Sequence, residues 1–248
     1  MIGALICGIN GKMGKTVCEL LQGDTDIRAV CGVDIIGGGE ISVYNSFADI
    51  KQKVDIIIDF SSPSVLSDEL SWAVKNNVPV VLAATGYSAE DLVLLESASK
   101  KIPIFKTGNF SLGINLLIKL VKQAAQVLGE SFDIEIIEKH HNQKADAPSG
   151  TALMLADGIN ESLKDKREYL NGRSGAGKRG NEIGIHAVRG GTITGEHEVI
   201  FAGNDEIITL SHSAHSKRIF AAGAVRAAKW LISQPAGLYD MNDIFENI

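Results

Sequence analysis

Cysteine, histidine and tryptophan are scarce in this chain of 248 residues, which holds three, six and two of them. The cysteines (Cys7, Cys18 and Cys31) lie near the start, at spacings that match no metal-binding or redox pair. They read as reduced core thiols, which points to a cytoplasmic protein. The opening MIGALICGIN is too short, and lacks the basic flank, for a signal peptide. No apolar run approaches the ~20 residues that span a bilayer, so no membrane partner is expected. Positive charge is in deficit: 24 Lys and Arg stand against 30 Asp and Glu, a formal charge of -6. A phosphate backbone needs a basic face, so nucleic-acid binding is not expected. One local basic cluster remains, at Lys164, Lys166, Arg167, Arg173, Lys178 and Arg179. Hydrophobic residues make up 45% and charged residues 22%, which suits one large domain or two small ones with a real core.

The first hundred residues alternate. IGALIC (2–7) is a β-compatible apolar run, followed by the turn GINGKMG (8–14) and a stretch with Val17, Leu20 and Leu21 at helical spacing. IRAVCGV (27–33) reads as a second buried strand ending in Asp34, where a dinucleotide-binding fold keeps its ribose-binding acid. Glycines let the backbone approach a pyrophosphate, and the following helix N-terminus stabilises its charge. The spacing is G-x-x-G-x-x-G, with Asn10 in place of the usual middle glycine. A tight turn with no ligand is the bland alternative. VDIIIDF (54–60), VPVVLAATG (78–86) and IPIFKTGNF (102–110) continue as strands separated by helices, which predicts a parallel, doubly wound sheet. Ligands of such sheets sit beyond the carboxyl ends of the strands, here Ser61-Ser62, Ala84-Thr85-Gly86 and Gly108-Asn109-Phe110. This half reads as a nicotinamide dinucleotide site. Asp34 is followed by Ile35 and Ile36 rather than a basic residue, which favours NADH; Lys12 leaves NADPH possible.

The second half changes character. A helix is expected over 111–128, then a half-solvated strand in which Ile134 and Ile136 alternate with Asp133 and Glu135. A helix over about 150–165 and a glycine- and arginine-rich loop follow. Three strands come next, EIGIHAVRGG, ITGEHEVIFAG and EIITLSHSAH, with short turns that indicate antiparallel pairing. The expected fold class is α/β: a Rossmann-like parallel-sheet domain plus an α+β domain with a mixed, largely antiparallel sheet. The expected domains are 1–110, with 217–248 packing back onto it, and 111–216. GRSGAGKRG (172–180) contains G-x-x-x-x-G-K, but Arg179 stands where a phosphate loop needs Ser or Thr. A helix before it and a strand after it are also the wrong order, so it reads as a surface loop whose charges could attract an anionic substrate.

The stretch EKHHNQKADAPSGTAL (138–153) concentrates chemistry. A strand ending at His140-His141 delivers two imidazoles to one loop, on opposite faces unless the strand ends first. Lys144 follows, and Ser149-Gly150-Thr151 opens a helix whose N-terminus suits an anion. A cation, two titratable rings and an anion cradle suit a small carboxylate substrate that must receive a proton. Structural histidines beside an ordinary cap are the alternative. No metal is expected, because there is no His-Glu-x-x-His and His212 with His215 stand in a strand-like stretch.

E-x-H-H-x-x-K-x-D-x-P-S-G-T-A resembles the signature of the dihydrodipicolinate reductases, as do G-x-x-G-x-M-G, DFSSP, GNFSLGIN, HAVRGG, GEH and FAAGAVRAAKWL along the whole chain. The resemblance implies NAD(P)H-dependent reduction of 4-hydroxy-tetrahydrodipicolinate, a cyclic imine bearing two carboxylates, in diaminopimelate and lysine synthesis. It implies that His140 is the active-site histidine and Lys144 the proton donor, and that His141, Gly150 and Thr151 hold substrate carboxylates. It places the cofactor on Gly8, Ile9, Asn10, Gly11, Lys12, Met13 and Asp34, on Ala83, Ala84 and Thr85, and on Thr107, Gly108, Asn109 and Phe110. It also implies a homotetramer assembled through the second domain's sheet. The sequence departs from the family at Ala83, where glycine is common, and in lacking a basic residue after Asp34. Two rivals remain: a dehydrogenase for another substrate on the same frame, and a non-catalytic dinucleotide sensor.

Overall fold

The structure, a computed structural model, describes residues 1–246 and divides into two compact units. The first comprises Met1–Ser111 together with the chain from Arg218 onward. Its strands are β1 (Ile2–Cys7), β2 (Ile27–Val33), β3 (Val43–Tyr44), β4 (Ile56–Asp59), β5 (Val80–Leu82) and β6 (Pro103–Lys106). They alternate with α1 (Lys12–Gln22), α2 (Leu66–Asn76) and α3 (Ala89–Ser99). The central strands are apolar on both faces, so they must be covered on both, which is what a parallel α/β sheet provides. Leu5, Ile57, Val80, Leu82 and Ile104 are fully buried in that core.

Unit 2, Leu112–Lys217, contains α4 (Leu112–Leu128), β7 (Asp133–His140), α5 (Gly150–Ser162), β8 (Tyr169–Asn171), β9 (Ile183–Arg189), β10 (Gly195–Ala202) and β11 (Ile207–Ala214). Unit 1 is completed by α6 (Arg218–Leu231), β12 (Gly237–Tyr239) and α7 (Met241–Glu246). Helix α6 packs against α1 and over β4, β5 and β6. Gly223 permits this approach, since a Cβ there would lie 1.8 Å from the Phe110 carbonyl oxygen.

The first sheet is parallel throughout, in the order β12-β6-β5-β4-β1-β2-β3. Strand order reverses between β1 and its neighbours β2 and β4, which places the switch-point crevice at the carboxyl ends of β1 and β4. The edge strands β3 and β12 are two and three residues long, too short to carry a readable period.

The second sheet runs β11-β10-β7-β9-β8. β10 is antiparallel to both β11 and β7, whereas β9 lies parallel to β7 and β8 parallel to β9. The turn Gly203-Asn204-Asp205 does close an antiparallel hairpin, β10 to β11. The expected pairing of β9 with β10 is corrected: β7 lies between them. A short connection reports that the chain reverses, not which strand fills the gap. One face of the sheet packs against α4 and α5 through Leu117, Val121, Leu155, Ile159, Ile134, Ile136, Val199 and Phe201.

One reading of the basic region is also corrected. The loop from Gly172 follows the short strand β8, not a helix, because α5 ends at Ser162. Its arginines do not present a free basic face. Arg173 pairs with Glu182 and Glu135, and Arg179 with Glu135 and Asp133. Arg167 is buried and donates to the carbonyls of Phe132 and Gly129.

Candidate active site

In unit 1 the glycine turn is built by close approach. Gly8 adopts φ +72°, and its N–H donates to the Val33 carbonyl at 2.8 Å. A Cβ on Gly14 would lie 2.2 Å from the Gly8 carbonyl oxygen and 2.7 Å from Ile9 Cα, so α1 can start this close to β1 only with glycine there. Gly11 is the N-cap and supplies no side-chain cap, and no acidic residue occupies the first turn of α1. That helix start is therefore arranged for an anion from outside.

Asp34 ties the turn to the end of β2. One carboxylate oxygen accepts the Asn10 N–H at 2.9 Å and the other the Ile36 N–H at 3.0 Å. Asn10, in the middle-glycine position, donates through Nδ2 to the Ile36 carbonyl at 2.5 Å, binding the turn to the loop after β2. Ala83, Ala84 and Thr85 follow β5, and the Ala83 N–H donates to the Asp59 carbonyl at the end of β4. Beyond β6, Asn109 Oδ1 accepts the Ser111 N–H at 2.8 Å, and the Thr107 hydroxyl accepts that of Asn109 at 3.3 Å. The Phe110 ring is buried against Phe105 and Phe60, and its carbonyl is packed against Gly223 of α6. Lys12 and Gly11 are exposed and Met13 half-buried.

In unit 2 the chemistry gathers at the carboxyl end of β7. Its buried row runs Ile134, Ile136, Glu138, His140: two apolar residues that anchor the strand, then an acid and a base. His140 Nδ1 lies 2.5 Å from Glu138 Oε2, and the Glu138 side chain is fully buried. Arg189, the β9 register partner of His140, reaches back and grips both Glu138 oxygens, each at 2.7 Å. The Ser149 N–H donates to Glu138 Oε1 at 2.9 Å. Burial works to raise the Glu138 pKa; the Arg189 fork, His140 and the Ser149 N–H outweigh it and hold the acid below the ordinary carboxylate range.

His197 comes from β10, in register with Glu138. Its ring meets that of His140 edge-on, 5.2 Å between centroids. Burial, and then the neighbouring His140, push the His197 pKa down to about 4, so this ring is neutral at pH 7. His197 Nε2 lies 3.1 Å from Ser149 Oγ, which also caps α5 by accepting the Ala152 N–H at 3.2 Å.

The loop after β7 carries the remaining candidates. The strand ends at His140, so His141 lies beyond it, half-buried, and its carbonyl accepts the Lys144 N–H at 3.1 Å. Lys144 Nζ sits 2.8 Å from Asp146 Oδ1, and this contact lowers the Asp146 pKa. Gly150, exposed, and Thr151, half-buried, open α5. His140, His141, Lys144, Gly150 and Thr151 are thus set on one strand end and the helix start tied to it by Glu138. Reading by residue type passed over Glu138, Arg189 and His197. Glu138 could have been found by carrying the Ile134, Ile136 alternation two steps further.

Comparison with known proteins places this arrangement. The chain matches the family described as dihydrodipicolinate reductase, N-terminus, over residues 2–110, and dihydrodipicolinate reductase, C-terminus, over residues 113–245. It is 54% identical to the 4-hydroxy-tetrahydrodipicolinate reductase of Caldanaerobacter subterraneus subsp. tengcongensis, across 98% of each chain. With the enzyme of that name from Clostridium tetani the identity is 46%, over 98% of this chain and 96% of the relative. Among solved structures, the dipicolinate-bound dihydrodipicolinate reductase from Paenisporosarcina sp. TG-14 gives a TM-score of 0.80 at 25% identity over 97% of each chain. A myo-inositol dehydrogenase from Corynebacterium glutamicum shares the fold alone, with 15% identity, a TM-score of 0.58, and 96% of this chain and 90% of that one covered. Two family models, near full-length relatives and a similar solved structure agree, and the chain belongs to the dihydrodipicolinate reductase family.

Proposed function

We infer that the chain reduces 4-hydroxy-tetrahydrodipicolinate to tetrahydrodipicolinate with a reduced nicotinamide dinucleotide, as a step in diaminopimelate and lysine biosynthesis in the cytoplasm. The observation that carries the site assignment is the joining of His140 to the start of α5 through one buried carboxylate, Glu138. A proton-handling ring and an anion-binding helix end, held in one frame, match a dicarboxylate substrate that must be protonated. Unit 1 serves as the dinucleotide-binding domain and residues 111–216 as the substrate domain, through whose sheet the chain forms a homotetramer.

The 4-hydroxyl leaves first, as water with a proton from the adjacent ring carbon, and the reduced nicotinamide, when bound, supplies a hydride to C4 of the resulting conjugated ring. The uncapped, acid-free start of α1 holds the pyrophosphate, and Asp34 accepts from the ribose hydroxyls. Residues 83–85 and 107–110 line the remainder of that site. In unit 2, the start of α5 at Gly150 and Thr151, with His141, binds the substrate carboxylates, which take the place of the Asp146 carboxylate on the Gly150 N–H. Hydride addition leaves an enamine that needs a proton at C3, and His140 and Lys144 are the donors within the same loop. Lys144 also neutralises a carboxylate, in exchange for Asp146. Lys144→Ala lowers kcat about 100-fold while leaving the dinucleotide dissociation constant within about threefold. Steady-state kinetics together with nucleotide titration check this, and an unchanged kcat removes Lys144 from the chemistry.

Asp34 supports NADH as the preferred cofactor. Its carboxylate serves the ribose position with Ile35 and Ile36 after it, so a 2'-phosphate there meets negative charge and no cation from the residues that follow, leaving Lys12 as the cation that NADPH would use. With substrate generated in situ from pyruvate and aspartate semialdehyde, kcat/KM is about tenfold higher with NADH than with NADPH, a difference of ~1.4 kcal/mol. A preference for NADPH overturns the Asp34 argument. Nucleotide binding without turnover overturns the reductase reading in favour of a sensor.

A further inference from the structure

We propose that Glu138, held by Arg189, is the positioning residue of the site: it fixes the tautomer of His140 and, with the same carboxylate, the start of α5. This rests on the reading of His140 as the proton-handling group and assigns what sets it.

The hydrogen-bond inventory of Glu138 is fully specified. Oε2 receives Arg189 Nη1 at 2.7 Å and faces His140 Nδ1 at 2.5 Å. Oε1 receives Arg189 Nη2 at 2.7 Å and the Ser149 N–H at 2.9 Å. An ionised carboxylate only accepts, so the proton shared with His140 resides on Nδ1, and Nε2 is the nitrogen left to exchange a proton with substrate. The Nε2 edge is kept open by Gly195, where a Cβ would stand 3.1 Å from that nitrogen. His197, edge-on to the His140 ring, closes a further side. The charged and titratable groups around His140 are therefore Glu138 on its own strand, Arg189 from β9 and His197 from β10. Lys144 and Asp146 lie in the loop that follows.

Arg189 does more than neutralise. Its fork makes each Glu138 oxygen an obligatory acceptor, and its Nη2 also donates to the Asp146 carbonyl at 2.6 Å, beyond Lys144. The ion pair thus spans the candidate proton donor, the loop carrying Lys144 and the helix that binds carboxylate. Ser149 sits at the joint, donating its N–H to Glu138 while its hydroxyl caps α5 and meets His197.

The isosteric change Glu138→Gln makes a sharp test. Either orientation of the new amide sets its NH2 against one Arg189 nitrogen; with its oxygen toward Arg189 Nη2 and the Ser149 N–H it opposes Nη1 alone, and so turns its NH2 toward His140. His140 Nδ1 then accepts, and the proton moves to Nε2. Nitrogen NMR of histidine-labelled protein is expected to show His140 switching from the Nδ1–H to the Nε2–H tautomer. The kcat falls about 100-fold with KM within about threefold. In a His140→Ala background, Glu138→Gln adds less than about threefold to the loss, because the residue acts through His140. Far-UV circular dichroism and thermal unfolding establish that each variant is folded. An unchanged tautomer, or losses that multiply in the double variant, overturns the positioning role. If His140→Ala alone keeps full kcat, the reading of His140 fails instead, and the two failures are distinguished.

Discussion

Arg189→Met is expected to lower the unfolding free energy by about 3–5 kcal/mol at pH 7, a large share of the ~5–15 kcal/mol that holds a domain together. The Glu138 side chain has no solvent exposure, and Arg189 supplies two of its four hydrogen bonds. Methionine fills much of the same volume but leaves a buried carboxylate with only His140 and one backbone N–H. Lysine is no substitute, because one ammonium cannot span both oxygens as the guanidinium fork does. The pH dependence follows from the direction of the Glu138 shift. Its folded pKa is depressed, so its contribution is present above the unfolded carboxyl value of ~4.3 and is lost as pH falls through the folded value. The difference between wild type and Arg189→Met is therefore widest at neutral pH and narrows on acidification. The lost donation to the Asp146 carbonyl remains as a residue independent of pH. Urea unfolding at pH 7 and at pH 2.5, well below the unfolded carboxyl value, measures both parts. A difference below about 1 kcal/mol at pH 7, or one equal at both pH values, removes the ion pair as a principal support of this site.

The same carboxylate shows what a linear reading reaches and what it does not. The β1–α1–β2 unit was legible because its strands are apolar runs and its turn needs glycine for steric reasons that the structure makes explicit at Gly8 and Gly14. The His140 loop was legible because rings, a lysine and a helix cap fall within a dozen residues. Arg189 and His197 lie 51 and 59 positions after Glu138 and reach it only through pairing of β7 with β9 and β10. Nothing local in HAVRGG or GEH says which strand will lie beside β7, so no periodicity reveals those contacts. The edge strands β3 and β12 were missed for the opposite reason: they are too short to have a pattern of their own. The basic cluster was counted without Glu135, Glu182 and Asp133, which lie far from it in sequence or across the loop and pair with Arg173 and Arg179.

Glu69 is a feature that sequence presents as ordinary, an acid in the first turn of α2, where it suits the helix dipole. In the fold it is fully buried, and neither carboxyl oxygen has a hydrogen-bond partner among the described residues. It lies with Asp59, the last residue of β4, and Cys7, the last residue of β1; one ligand-type atom of each falls within 4.8 Å of the others. Burial, and next the nearby Asp59, push the Glu69 pKa well up, and Asp59 is itself raised by burial. Burial and the nearby Asp59 thus favour the uncharged form of Glu69, since two carboxylates so close in a dry interior cannot both ionise cheaply. The sign is opposite to that of Glu138. A raised folded pKa gives a contribution that is complete below the unfolded value of ~4.3 and is lost as pH rises through the folded value. Glu69→Leu removes the unpaired acid at similar volume, so the variant is expected to be about 1–3 kcal/mol more stable than wild type at pH 7. Its advantage grows further by pH 9, because wild type must either ionise Glu69 in the core or hold its proton against solvent. Asp59 remains in both proteins but is coupled to Glu69, so the difference between them reports the removal of Glu69 from the pair. Urea midpoints at pH 5, 7 and 9 read the trend directly. A variant less stable than wild type at pH 9, or an advantage that shrinks with rising pH, would mean that Glu69 is held by a partner that makes its charge favourable.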